Sequence, residues 1–135
     1  KFSESQLILK PFPHFETGDK PLNVLWEEYR QKMISQCGIT IFVFGNKKNE
    51  KNEIVEAGGV IREFEIAREN GNICIPIGMT GSATNSIYKM IASEPGKYFE
   101  NPDLFMSLIN QLADTNTTFD LAIKEIDKFF KKIKK

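Results

Sequence analysis

An α/β fold, in which helices flank a parallel sheet, is what this sequence predicts, and three observations carry that prediction. The runs Ile39-Thr40-Ile41-Phe42-Val43-Phe44 and Ile73-Cys74-Ile75-Pro76-Ile77 are apolar with almost no alternation, the pattern of strands buried on both faces of a parallel sheet. Segments with apolar residues at helical spacing lie between and after them, so strands alternate with helices and the crossovers should be right-handed. Glycine closes each run, at Gly45 and Gly78, where a chain leaving a parallel strand has to turn.

Taken in order, the first element is a short strand at Leu7 to Lys10, stopped by Pro11 and Pro13,. Asp19 is a candidate cap and Pro21 suits the first turn of a helix whose apolar positions are Leu22, Leu25, Trp26, Tyr29, Met33 and Cys37, with Gly38 ending it,. After the strand at 39–44, the polar stretch Asn46 to Glu56 reads as a solvated loop able to order over a ligand,. Gly58 and Gly59 lead into a helix carrying Val60, Ile61, Phe64 and Ala67, which stops near Asn70 and Gly71,. The strand at 73–77 turns through Gly78 to Ser82, where Ser82 can cap a helix bearing Ile87, Met90 and Ile91 that Pro95 and Gly96 break,. Two helices follow, at 102–113 and from Thr117 onward, the second with Phe119, Ala122, Ile123, Ile126, Phe130 and Ile133 on one face. Its terminal Lys131, Lys132, Lys134 and Lys135 complement the helix dipole,. Three strands make a thin sheet for so apolar a centre, so the sheet looks incomplete, as if its front half were missing.

Composition narrows the function. A chain of 135 residues, 41% apolar and 27% charged, has the makeup of one globular domain,. Eighteen basic residues balance 18 acidic ones, so no net field draws it to nucleic acid or an anionic membrane. No apolar run reaches transmembrane length and no signal peptide is visible, which makes the cytoplasm the expected compartment. Cys37 and Cys74 stand in apolar contexts and read as buried free thiols; with His14 as the single histidine, metal-ligand spacing is absent and neither a metal nor a cofactor is expected,.

In open parallel sheets, ligands bind beyond the carboxyl ends of strands, where helix N-termini present backbone N–H groups. Three such places can be named: Gly45, Asn46 and Lys47; the turn of Gly78, Met79, Thr80, Gly81 and Ser82; and the Gly58-Gly59 entry to the helix bearing Glu63. Lys47 directly follows an apolar strand and suits phosphate neutralisation. Glu63, placed in a first helical turn, is either a dipole partner or an acceptor for ribose hydroxyls. Arg30 is either a solvent-facing partner of Glu27 or a bidentate phosphate fork. Ser35, Ser82 and Ser86 have no histidine in the vicinity, and no nucleophile with a base emerges, which disfavours simple enzyme chemistry. By pattern alone each of these turns is compatible with an ordinary α/β connection.

Four blocks taken together are more specific: Trp26 to Arg30, Gly38 to Lys47, Gly59 to Ala67, and Ile75 to Gly81. In order and spacing they resemble the SLOG domains that accompany sirtuin-like or TIR domains, the STALD group, found at the C-terminus of an effector of Thoeris antiphage systems. The resemblance implies a Rossmann-like sandwich in which residues 1–99 form the back part of a ligand-binding domain and residues 100–135 a helical extension packed on it. It also implies recognition of a cyclic ADP-ribose isomer made by a TIR-domain protein, with binding switching on an NAD-consuming sirtuin-like or TIR effector domain in cis or in trans, in a homo-oligomer. The family's ligand-contacting arginine falls on Arg30, its lysine on Lys47 and its glutamate on Glu63, with Gly45 and Asn46 lining the same strand end and Gly78, Thr80 and Gly81 in the second glycine-containing turn. The family's Ser/Gly-rich front strands are absent, and Lys10 stands where the family carries an arginine. Other SLOG proteins cleave nucleotide N-glycosidic bonds, so a nucleotide N-glycosidase with Glu63 and Arg30 at its centre is the alternative; a purely oligomerising role for the C-terminal helices is a third.

Overall fold

The computed structural model describes residues 18–133. The strand expected at Leu7 to Lys10, Pro11, Pro13 and His14, together with Lys134 and Lys135, lie outside the described residues. The chain divides into two compact units, residues 1–37 and 38–135, and each is described by itself.

In the first unit α1 (Leu22–Ser35) forms as its spacing predicts, but its start differs from expectation. Pro21 is the N-cap rather than a first-turn residue, and no side chain caps the helix, so Asp19 does not do so. The carbonyl of Pro21 instead accepts the N–H groups of Val24 and Leu25 at 3.1 and 3.2 Å, supplying from the backbone the partner a cap would give. At the other end the N–H groups of Gln36 and Cys37 fold back onto the carbonyls of Met33 and Ile34, which closes the helix before Gly38 is reached. Cys37 therefore lies beyond the apolar stripe and is exposed, not buried; Ile34 is the buried residue of this helix.

The second unit is built on β1 (Ile39–Phe42) and β4 (Ile73–Pro76), paired in parallel with Ile41 opposite Ile75 and Phe42 opposite Pro76. Paired residues of neighbouring strands share a face. On one face Ile75 and Ile77 cluster with Leu108 and Leu112 of α5 (Pro102–Ala113) and with Ala122 and Ile126 of α6 (Phe119–Ile133). On the other, Phe42 meets Phe64 of α2 (Gly58–Glu69) edge-on at 5.8 Å. Cys74, Ile75 and Pro76 are all buried, and each isoleucine so enclosed contributes about 1.5–3 kcal/mol. β4 thus meets the expectation of burial on both faces.

β1 does not. Ile39 and Ile41 are 43% and 45% exposed, and Val43 beyond them is open too. Among the described residues β1 has one strand neighbour, β4, and α5 and α6 pack over β4 alone in the core cluster. The apolar run forms a strand over Ile39–Phe42, shorter than the 39–44 its pattern predicts, and the described part of the chain gives it a neighbour on one edge.

The stretch read as a loop is a hairpin: β2 (Asn46–Lys48) and β3 (Ile54–Glu56) pair antiparallel, with Lys47 opposite Val55. Asn49 organises the turn, its side-chain oxygen accepting the N–H groups of Lys51 and Glu53 at 2.9 Å, while Asn52 takes a left-handed φ of +63°, a role Asn tolerates. Three-residue strands of mostly exposed polar residues carry no periodic signal, which is why the pattern was missed.

α3 (Ser82–Ser93) follows a single 3₁₀ turn at Gly78–Thr80. Pro95 ends it and opens the one-turn helix α4 (Pro95–Tyr98), using the proline at the position where its missing N–H costs nothing. α6 packs through Ala122, Ile126 and Phe129, the last edge-on to Phe105 at 5.0 Å. Phe119, Ile123 and Ile133, assigned from periodicity to the packing face, are exposed; the apolar stripe is wider than the groove it fills. The Thr118 hydroxyl accepts the N–H of Leu121 at 3.2 Å and so caps α6,. No helix among the described residues is long and apolar enough to cross a membrane.

Candidate functional site

Where β1 ends, the backbone makes an uncommon turn. Phe44 and Gly45 have φ of +58° and +101°. The Phe44 N–H donates to the Thr80 hydroxyl at 2.7 Å, and that hydroxyl donates in turn to the Ile77 carbonyl at 2.7 Å. The Phe44 carbonyl accepts the N–H of Thr84 at 3.0 Å, and the Gly45 carbonyl those of Ala57 at 2.7 Å and Ala83 at 3.4 Å. Two residues therefore gather the end of β4, the start of α2 and the start of α3 at one point. A β-carbon on Gly45 would lie 2.7 Å from that of Ala83, so close packing requires glycine there as much as the backbone angle does.

Directly across this junction Gly81 has φ +77° and ψ −168°, a region open essentially to glycine alone; no atom would obstruct a side chain, so conformation by itself selects the residue. Ser82 follows with φ +55°. Of the four left-handed residues here, Phe44 is the costly one, since a bulky side chain in such a conformation carries a strain of about 1–3 kcal/mol that persists only when the surroundings over-determine it. Hydrogen bonds on both sides of Phe44 do that.

The structure brings Gly45, Thr80 and Gly81 together through these bonds, with Asn46 next in the chain, opposite Glu56 in the hairpin. Lys47 is exposed on β2, and among the described residues no carboxylate lies within ion-pairing distance of it, which leaves its charge available to an anion. Gly78 is buried, and a β-carbon there would come within 3.1 Å of Ala113 and 3.3 Å of Tyr88, so its small size is required by the packing of α5 and α3. Ser82 does not cap α3; the helix starts after Gly81 with no side-chain cap, and the amides of Ala83 and Thr84 are taken by the Gly45 and Phe44 carbonyls. Glu63 is not in a first turn, because α2 already begins at Gly58; it is half-buried in the second turn. Arg30 stands half-buried on α1, in the first unit, where Glu27 accepts a bond from Gln31 at 2.9 Å.

Three features here were not found from sequence. The Phe44 ring stacks on Phe119 of α6 at 6.2 Å and 21°, both rings exposed. Glu56, at the end of β3, accepts a hydrogen bond from Ser86 of α3. The Thr84 hydroxyl is fully buried without a partner. Phe44 merged into an apolar run and Phe119 into an amphipathic stripe, so neither gave a separate signal.

The amino end of the sheet is organised otherwise. A cavity of about 440 Å³ is bounded there by Arg68, Asn72, Cys74, Tyr98 and Phe105. Arg68 lies over the Tyr98 ring at 4.3 Å, and Phe64 stacks on that ring at 5.9 Å. Burial pushes the Cys74 thiol up to about 11, against a smaller opposing effect of Arg68; a reactive thiol needs the reverse shift. Among the described residues no group of three His, Cys, Asp or Glu is placed to hold a metal.

A parallel sheet with helices on its faces, and with glycine-edged turns and two helix starts gathered at the strand carboxyl ends, defines a Rossmann-like α/β domain. Within that class the chain belongs to STALD, the Sir2- and TIR-associating SLOG family, whose sequence model matches residues 1–133. It is similar to proteins named NAD(+) hydrolase ThsA. The one from Cytobacillus dafuensis is 39% identical over 95 residues, covering 70% of this chain and 19% of that protein. The one from Bacillus cereus (strain MSX-D12) is 32% identical over 127 residues, covering 93% and 26%. The one from Enterococcus faecium is 38% identical over 122 residues, covering 89% and 24%. The chain thus spans about a fifth to a quarter of the length of these relatives.

Proposed function

We propose that this chain is the signal-sensing part of an antiphage effector: it binds a cyclic ADP-ribose-type nucleotide at the carboxyl ends of β1 and β4, and binding controls an NAD-hydrolysing, sirtuin-like domain in the same or a partner chain. The observation that carries this reading is the junction at Gly45, Thr80 and Gly81, with the unpaired Lys47 beside it, in a member of a Sir2- and TIR-associating family. Relatives covering this chain nearly end to end are named NAD(+) hydrolases, which supports the effector half of the proposal. Lys47 neutralises the diphosphate and Glu63 accepts the ribose hydroxyls, while Arg30 is assigned to the ligand by the family resemblance alone. Because the amides of Ala83 and Thr84 already have carbonyl partners, these side-chain charges carry more of the anion binding than a free helix N-terminus would. The working form is a cytoplasmic homo-oligomer, and the nucleotide is a ligand and not a cofactor.

Titration calorimetry of the intact protein with the cyclic ADP-ribose isomers tests this. One isomer should bind and be recovered unchanged, and Arg30→Ala and Lys47→Ala should each weaken it at least about tenfold, the loss expected for one charge-assisted contact. Absence of binding by every isomer, or unaltered affinity in both variants, would overturn the reading. Recovery of free base would instead mark an N-glycosidase.

A further inference from the structure

We infer that Phe44 and Phe119 form the platform on which the base of the bound nucleotide stacks, so that the ligand touches the C-terminal helix α6 as well as the strand ends. This rests on the sensor reading and adds to it the part of the site that recognises the base.

The first support is exposure. Two phenylalanine rings lie nearly parallel at 6.2 Å, yet they are 52% and 42% exposed; the other stacked ring pairs of this unit, Phe64 with Tyr98 and Phe99 with Phe105, each include a buried phenylalanine. Stacked rings left in water offer a third flat ring a place to extend the stack. The second support is backbone strain. Phe44 occupies a left-handed conformation that glycine or asparagine would adopt more readily, and the Thr80 hydroxyl and the Thr84 amide hold it there,. A bulky ring thus stands at a position that its own backbone preference disfavours, while the hydrogen bonds that fix the turn come from the backbone of this residue. The third is position. Phe44 adjoins Gly45 and precedes Lys47 by three residues, so ring and cation flank one turn of chain, the arrangement a base and its phosphates require. Phe119 is fixed in turn, because Thr118 caps α6 and the Thr117 hydroxyl ties the preceding turn to the Gln111 carbonyl at 3.0 Å.

The test compares the intact protein with Phe44→Gly, Phe119→Ala and Phe44→Tyr, using ADP-ribose and its cyclic isomers as probes and ribose 5-phosphate as the base-free control. Phe44→Gly removes the ring and relieves the backbone, and Phe119→Ala alters an exposed position on α6, so thermal melting should show both folded. Each should weaken the adenine nucleotides about tenfold, leave ribose 5-phosphate unaffected, and leave Phe44→Tyr near the starting affinity. Saturation of the phenylalanine ring protons should transfer to the purine H2 and H8 of the bound ligand. If the unsubstituted protein binds the nucleotides and the variants bind them equally well, or lose the base-free probe to the same degree, the platform is wrong and the sensor stands. If the unsubstituted protein binds none of the probes, both readings fall.

Discussion

The two ends of the β1–β4 sheet solve different problems with the same kinds of residue. At the amino end, Arg68 lies over the Tyr98 ring, Phe99 stacks on Phe105, and the Cys74 thiol is enclosed beside them. Backbone torsions there are ordinary apart from Gly71, whose left-handed φ of +74° closes α2 with open space around it,. At the carboxyl end, four left-handed residues converge, one of them Phe44, and two aromatic rings face water. One end spends its side chains on enclosure, while the other accepts backbone strain and leaves its rings open. Ligands of parallel α/β sheets generally bind beyond the carboxyl ends of the strands, and the site proposed above lies at that end.

Substituting glycines at the two ends should separate them most clearly. Gly45→Ala adds a left-handed penalty to a 2.7 Å overlap with Ala83 and should cost about 3 kcal/mol or more, whereas Gly71→Ala, with nothing within 4 Å, should cost about 1 kcal/mol. Urea denaturation of both variants measures the gap, and equal costs would show that the carboxyl end is no more tightly constrained than the other.

Next in size is a pH effect confined to the amino end. Burial raises the Cys74 thiol to about 11 from an ordinary 9.0. Between those values the unfolded chain has released the proton and the folded chain keeps it, so stability falls as pH rises through that window, by roughly 2 kcal/mol from this group. The stability difference between the protein and Cys74→Ala, followed from pH 8 to pH 11, should shrink accordingly; a constant difference would place the thiol in contact with water.

A smaller effect is expected of Thr80→Val, which deletes the hydroxyl joining Phe44 to Ile77 and should cost about 1.5 kcal/mol. Since that bond holds a strained residue, its loss should be partly offset when Phe44→Gly is combined with it. Strict additivity of the two would mean that Thr80 does not hold Phe44 in its conformation.

How far the sequence reached follows from which interactions are local. β4, α2, α3, α5 and α6 were legible because their apolar spacing, prolines and glycines act within a few residues. The glycines at 45 and 81 were legible as strand-end turns, but the reasons they are glycine, an approach to Ala83 in one case and a torsion in the other, depend on partners far along the chain. Asn49 carried the hairpin through its own side chain, a turn signal hidden inside a run of like polar residues. Nothing about phenylalanine announces a left-handed backbone, so Phe44 reads as strand; its partners Thr80, 36 residues later, and Thr84 make that conformation tenable. The packing requirement at Gly78 is hidden for the same reason: its neighbour Ala113 is remote in sequence.

The uncovered side of β1 has a practical meaning. Ile39, Ile41 and Val43 form a row of branched side chains left wet along a short strand, and among the described residues that strand has a neighbour on one edge only. Such a row is self-adhesive: two molecules meeting there can zip backbone to backbone and hide the grease together. Concentrated solutions of the isolated domain should therefore cloud on storage, and a surface that shields this row will set how long it keeps.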